Sequence, residues 1–119
     1  MDATNLDTCL FCRIVRGEIP AEVVYEEADI VAFRDLSPQA PQHFLLIPKR
    51  HIRSVDDLDD DDQAVIGRLI LAARDVARSH GLSEHGYRVV TNIGDDGGQS
   101  VAHLHFHLLG GRPLSWPPG

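Results

Sequence analysis

Val101–Leu109 reads VAHLHFHLL, and its alternation decides the fold. His103, His105 and His107 interleave with Leu104, Phe106 and Leu108. Successive side chains of a strand point to opposite faces, so the period of two predicts a strand over 101–109. Its imidazoles then share one face, about 7 Å apart. The apolar set shares the other face and needs a helix to cover it. A solvated polar face is the ordinary alternative, but such faces use Thr, Ser, Lys and Glu. Three histidines in five residues, directly after a glycine-rich loop, match it poorly.

Working outward, Gly94–Ser100 (GDDGGQS) is that loop, and Tyr87–Ile93 (YRVVTNI) precedes it as another strand. The covering helix lies upstream, where Ile66, Leu69, Ile70, Ala73, Val76 and Ala77 recur on one helical face. Gly81 suits the position just past its end. Before it, residues 56–62 hold six aspartates in seven. A calcium site is conceivable, but acids at a helix N-terminus cap it and oppose its dipole, which is the simpler reading. His43–Pro48 (HFLLIP) reads as a central strand, Ser37–Gln42 (SPQAPQ) as a loop, and Val23–Glu26 and Ile30–Arg34 as a hairpin turning at Glu27–Asp29. Cys9–Arg16 forms a short helix ended by Gly17. Five strands, one long helix and one short helix with tight connections predict an α+β fold built on an antiparallel sheet. The 119 residues make one domain, 1–119, with residues 1–8 loose and 110–119 a tail ending in Trp116-Pro117-Pro118-Gly119.

Composition excludes several classes. The chain is 43% hydrophobic and 24% charged, which is ordinary globular material. No apolar run reaches the roughly 20 residues that span a bilayer, so no membrane partner is expected. MDATNLDTCLFC lacks the basic start and apolar stretch of a secretory signal, and the cytoplasm is the expected location. Eighteen acids oppose 11 bases for a net charge of −7, and Lys49 is the sole lysine. No basic stripe suits nucleic acid. A small anion remains compatible, if backbone N–H groups and a few side chains form a local site.

Aligned imidazoles suit two chemistries. One is metal binding; the other is nucleophilic attack by a neutral ring, which a pKa of about 6.5 keeps available at neutral pH. The loop favours the second. Gly97, Gly98, Gln99 and Ser100 can bring backbone N–H groups, an amide and a hydroxyl to an anion, which suggests a phosphate beside a nucleophile. Cys9-Leu10-Phe11-Cys12 is a CxxC, and alone it fits redox, metal or incidental roles. No βαβ unit adjoins it, and four-coordinate zinc needs two more ligands. Otherwise the cysteines are reduced, partly buried thiols. His80 and His85 flank a helix-terminal turn and read as solvated.

GGQSVAHLHFHLLGG (97–111) resembles the histidine-triad (HIT) motif, three histidines separated by single apolar residues. EIPAEVVYEE, AFRDLSPQAPQHFLLIPKRHI and the closing WPPG extend the likeness over nearly the whole chain, and WPPG favours the Hint branch of nucleoside phosphoramidases over the dinucleoside-polyphosphate branch. The resemblance implies a homodimer whose sheets join into one ten-stranded sheet. It makes His105 the nucleophile on the α-phosphorus of a nucleoside 5′-phosphoramidate, through a nucleotidyl-histidine. His107 would donate to the phosphate or leaving group, with His103 completing the triad and His43 supporting it. Asn92, Gly98, Gln99 and Ser100 would surround the phosphate. A purine nucleoside would lie against Ile19, Phe33 and Leu36, with Asp35 on the ribose hydroxyls; core packing is the alternative for the apolar three. Structural zinc at Cys9, Cys12, His51 and His103 follows from CxxC-bearing relatives, and no organic cofactor is implied. Trp116 has two open readings, a contact with the partner subunit's site and an anchor for the tail. Two other functions stay open. One is hydrolysis of dinucleoside polyphosphates or nucleotidyl sulfates. The other is a zinc-containing nucleotide-binding interaction module without significant turnover.

Overall fold

The computed structural model describes residues 7–119, so most of the stretch expected to be loose, residues 1–6, lies outside the described residues. Five strands form one sheet: β1 (Val23–Glu26), β2 (Ile30–Arg34), β3 (Gln42–Pro48), β4 (Tyr87–Val90) and β5 (Phe106–Gly110). Their spatial order is β1-β2-β3-β5-β4, and every neighbouring pair is antiparallel. β1 and β4 are the edges. The α+β architecture with one long and one short helix is as expected.

The sheet buries both faces, because β2 and β3 are apolar at nearly every position. Ile30, Ala32, Phe44 and Leu46 face the long helix α2 (Gln63–Ser79), packing with its Leu69, Ala72, Ala73, Val76 and Ala77. Val31, Phe33, Leu45 and Ile47 face the other way, against Cys9, Phe11 and Cys12 of the short helix α1 (Leu10–Val15) and its N-cap. α1 therefore seals the sheet face opposite α2. The end of α2 follows its sequence signal: Gly81 adopts φ +74°, and Leu82 N–H donates to Ala77 O at 2.9 Å. That bond closes the helix with a left-handed residue and satisfies a terminal carbonyl.

Four expectations need correction. β5 begins at Phe106 and not at Val101. Residues 101–105 leave the ladder, and Leu104 N–H donates to Ile52 O at 2.6 Å. The alternation survives without a strand: Leu104 stays in the α2-facing core, while His103 and His105 turn toward α1. β4 ends at Val90 and not at Ile93, and Thr91 instead bonds His105 O through its hydroxyl at 2.8 Å. The aspartate run lies outside α2, in two 3-10 turns, Val55–Asp57 and Asp60–Asp62. The capping box in which Asp59 and Asp62 exchange bonds closes the second of those turns and not α2, whose own N-cap, Asp62, makes no side-chain bond to the helix and pairs with Arg50. Finally, Ile70 is 45% exposed and not part of the buried stripe. At about 100° per residue it falls just beyond the arc spanned by Ala72, Leu69 and Ala77.

Candidate active site

Four imidazoles, those of His43, His103, His105 and His107, lie on the α1 side of the sheet, and their hydrogen-bond partners place each proton. His105 Nδ1 lies 2.8 Å from His103 O, so Nδ1 carries the hydrogen and Nε2 keeps a lone pair. The second chain of contacts runs the opposite way. Gln39 donates its backbone N–H to His43 Nδ1 at 3.0 Å, so His43 holds its hydrogen on Nε2. That Nε2–H points at His107 Nδ1, 2.9 Å away. His107 therefore keeps its own hydrogen on Nε2. Rings 5.0 Å apart thus present opposite faces of the same chemistry, a lone pair on His105 and an N–H on His107.

Strand register makes this possible. Leu45 stands opposite His107 in the β3–β5 pair, so His43 is the diagonal neighbour of His107 on the same face. Asp35, where β2 ends, reaches His43 Nε2 with a carboxylate oxygen at 3.4 Å. Burial keeps the group neutral. It lowers the pKa of His43 and of His105, and it takes His107 to about 4, helped by the neighbouring His105 and His43.

His105 and His107 line a cleft of about 250 Å³. Ile19, Phe33, Asp35, Leu36 and Ser100 line it too, so the anticipated nucleoside residues are gathered in one place. Leu36 is 86% exposed and forms the rim. The wall also includes residues that the sequence reading did not single out, chief among them Leu10, Phe11 and Ile14 of α1. Their signal was a six-residue helix with apolar side chains on more than one side, which leaves one side for a ligand. Phe11 stands edge-on to Phe33, His103 and His105, with ring centroids 5.7, 5.8 and 5.1 Å away.

The glycine-rich loop closes one end of the cleft. Only glycine fits at position 97, where a Cβ would lie 2.2 Å from Ile93 O. Asn92 donates its amide to Gly97 O at 2.7 Å, and Gln99 donates to Arg53 O at 2.7 Å and Val101 O at 3.0 Å. Asn92 and Gln99 thus brace the loop that Gly98 turns at φ +79°. Ser100 is the loop member that lines the cleft beside the histidines.

A second constellation lies across Phe11. Cys9, Cys12, His51 and His103 bring their ligand atoms within 4.8 Å of one another. His103 Nδ1 is 3.4 Å from Cys9 Sγ and 3.5 Å from Cys12 Sγ, and His51 Nδ1 is 3.2 Å from Cys12 Sγ. Tetrahedral zinc, with bonds of about 2.3 Å to sulfur and 2.0 Å to nitrogen, sets S···N separations of roughly 3.5 Å. The donor set fits. His103 also donates Nε2–H to Pro48 O at 2.8 Å, which frees Nδ1 for a metal. Burial lowers the His103 pKa to about 4 and, with Cys9 beside it, raises the Cys12 thiol to about 12. A divalent cation would reverse that cost by stabilising the thiolates.

Asp35, His43 and His107 are similarly clustered, but their protons disagree with a metal. The Gln39 N–H already occupies His43 Nδ1, so the ring hydrogen must stay on the very nitrogen a metal would need.

Comparison with known proteins agrees with this geometry. The HIT domain family model matches residues 16–114. An uncharacterized HIT-like protein from Synechococcus elongatus is 52% identical over 110 residues, covering 92% of this chain and 96% of that protein. The crystal structure of a HIT family hydrolase from Legionella pneumophila superposes with a TM-score of 0.92 at 54% identity, covering 94% of this chain and all of the other. A histidine triad protein from Clostridium difficile gives 0.87 at 42% identity, covering 90% of this chain and 93% of that one. The chain belongs to the HIT domain family.

Proposed function

We propose that this protein hydrolyses nucleoside 5′-phosphoramidates of the adenosine 5′-monophosphoramidate type, through a nucleotidyl intermediate on His105. The observation that carries the reading is the His105 Nδ1–H bond to His103 O, 2.8 Å long, which reserves Nε2 as a lone pair beside the cleft. The purine nucleoside rests between the α1 wall and Ile19, Phe33 and Leu36, and Asp35 accepts from the ribose hydroxyls. Ser100 and the loop backbone receive the phosphate, with Asn92, Gly98 and Gln99 shaping that loop.

The reaction follows from the proton placement. The Nε2 pair of His105 bonds to the α-phosphorus, and the P–N bond breaks with its pair going to nitrogen. The nitrogen leaves as an amine after taking a proton from solvent, while His107 Nε2–H hydrogen-bonds the departing atom or a phosphate oxygen. Water then attacks phosphorus and loses a proton to solvent. The P–Nε2 bond returns its pair to His105, and the nucleoside monophosphate departs.

Zinc at Cys9, Cys12, His51 and His103 would tie α1 to the segment carrying His105, a structural task. A homodimer forms across the open β4 edge, giving the continuous ten-stranded sheet. Exposed Tyr87 and Val89 on that edge support this, and Trp116, 80% exposed, is free to reach a partner. The similar solved protein named as a hydrolase favours turnover over a pure binding module.

Steady-state kinetics on nucleoside phosphoramidates, dinucleoside polyphosphates and nucleotidyl sulfates test the substrate class. His105→Ala is expected to lose at least about 10³-fold in kcat while still binding nucleoside monophosphate. Wild-type turnover by that variant refutes the nucleophile.

A further inference from the structure

The tail that follows β5 folds back over the loop of residues 37–41 that joins β2 to β3. Gly111, at φ +94°, lies so close that a Cβ there would meet Pro41 Cβ at 2.9 Å. Next in the chain, Arg112 donates through Nη2 to Gln39 O at 2.9 Å and through Nη1 to Pro113 O at 3.0 Å. Gln39 is the residue whose N–H meets His43 Nδ1. The loop has its own ties, Ser37 N–H to Asp35 at 2.8 Å and the Gln39 amide to Ser37 O at 3.0 Å. None of these holds the Gln39 backbone from its carbonyl side.

We propose that Arg112 is a positioning residue for His107. Its guanidinium fixes the Gln39 carbonyl and so keeps the Gln39 N–H on His43 Nδ1. His43 must then carry its hydrogen on Nε2, His107 must accept it on Nδ1, and the His107 hydrogen is left on Nε2, toward the cleft. The path runs from the tail to the reacting edge through four residues: Arg112, Gln39, His43 and His107. A neutral imidazole has one hydrogen and two nitrogens, so a single donor at one end of such a row sets every ring along it. Without Arg112 the loop samples positions in which His43 Nδ1 lacks its donor. The rings then divide between two tautomers, and only one of them offers an N–H to the substrate.

The kinetic part of this inference rests on the proposed hydrolysis; the proton placement does not. ¹⁵N NMR of the imidazoles reads the tautomers directly in wild type, Arg112→Ala, Arg112→Lys and Gln39→Pro, which removes the N–H itself. Wild type is expected to show both His43 and His107 protonated on Nε2. Arg112→Ala and Gln39→Pro are expected to give mixed tautomers, with Arg112→Lys largely restoring the wild-type pattern. On adenosine phosphoramidate, Arg112→Ala should lose about tenfold in kcat at unchanged KM. That is less than the roughly 10²–10⁴-fold lost when a positioned acid–base group is removed outright. Arg112→Ala with wild-type tautomers overturns the inference, whatever its kcat, because the residue is then merely structural. Mixed tautomers in that variant, with no turnover by wild type on any substrate, uphold the positioning role and refute the proposed function instead.

Discussion

Phe11→Ala removes the ring that stands between the metal-fitting cluster and the cleft. The side chain is 3% exposed and meets Phe33, His103 and His105 edge-on, so its loss opens a cavity bounded by three rings. Buried Phe→Ala changes cost about 3–5 kcal/mol. The unfolding entropy of a domain this size is about 0.25 kcal/mol/K, so a loss of about 4 kcal/mol lowers Tm by roughly 16 °C. The variant still folds at 25 °C if native stability lies in the ordinary range of about 5–15 kcal/mol. Because Phe11 also lines the cleft, AMP affinity should fall about fivefold, the equivalent of one aromatic contact near 1 kcal/mol. Circular-dichroism melting gives the first quantity and titration calorimetry below the transition the second. Phe11→Leu should recover most of the stability and little of the affinity. A Tm drop under about 4 °C for Phe11→Ala would falsify the reasoning, since the ring could not then be a packed wall between the two sites.

Four other outcomes are expected. Purified protein should hold one zinc per chain by elemental analysis; chelation or Cys9→Ser should remove it and lower Tm, and a protein prepared without chelator and found zinc-free counts against the cluster. Turnover should be level above pH 6.5 and decline as pH falls, because the depressed pKa values of His43, His105 and His107 mean protonation removes the lone pair or the acceptor. Stability of metal-free protein follows the same sign: the unfolded chain binds the extra protons between about pH 6.5 and 4, so stability is full above that window and lost through it; a melting temperature that rises on acidification contradicts it. Val89→Lys, on the exposed edge strand, should shift the protein toward monomer in sedimentation velocity, and an unchanged mass moves the dimer contact elsewhere.

Much of this was legible in the residues, and the exceptions share a cause. The stripe of α2 and the apolar runs of β2 and β3 are local patterns, and each produced its element. The alternation of 103–108 gave the right faces but the wrong backbone. Period two reports where side chains point and says nothing of whether a neighbouring strand supplies hydrogen bonds, and at 101–105 the partners are Ile52 and side chains. Ile70 failed on a matter of degrees at the margin of a stripe. Leu10, Phe11 and Ile14 left only the weak signal of a short helix apolar on more than one side, and six residues carry too little periodicity to say which side meets the core and which a ligand. The Gln39–His43–His107 row is set by strand register and by one peptide hydrogen, neither of which any spacing encodes.

The acceptor for the His105 hydrogen is a peptide oxygen, two positions back in the same chain. No side chain supplies it, so substitution cannot delete it while the chain keeps its path. Position 103 therefore has two separable parts, an imidazole that belongs to the metal-fitting cluster and a carbonyl that holds the His105 hydrogen. An asparagine there would surrender the first and keep the second, so that metal content and the tautomer of His105 could be read independently.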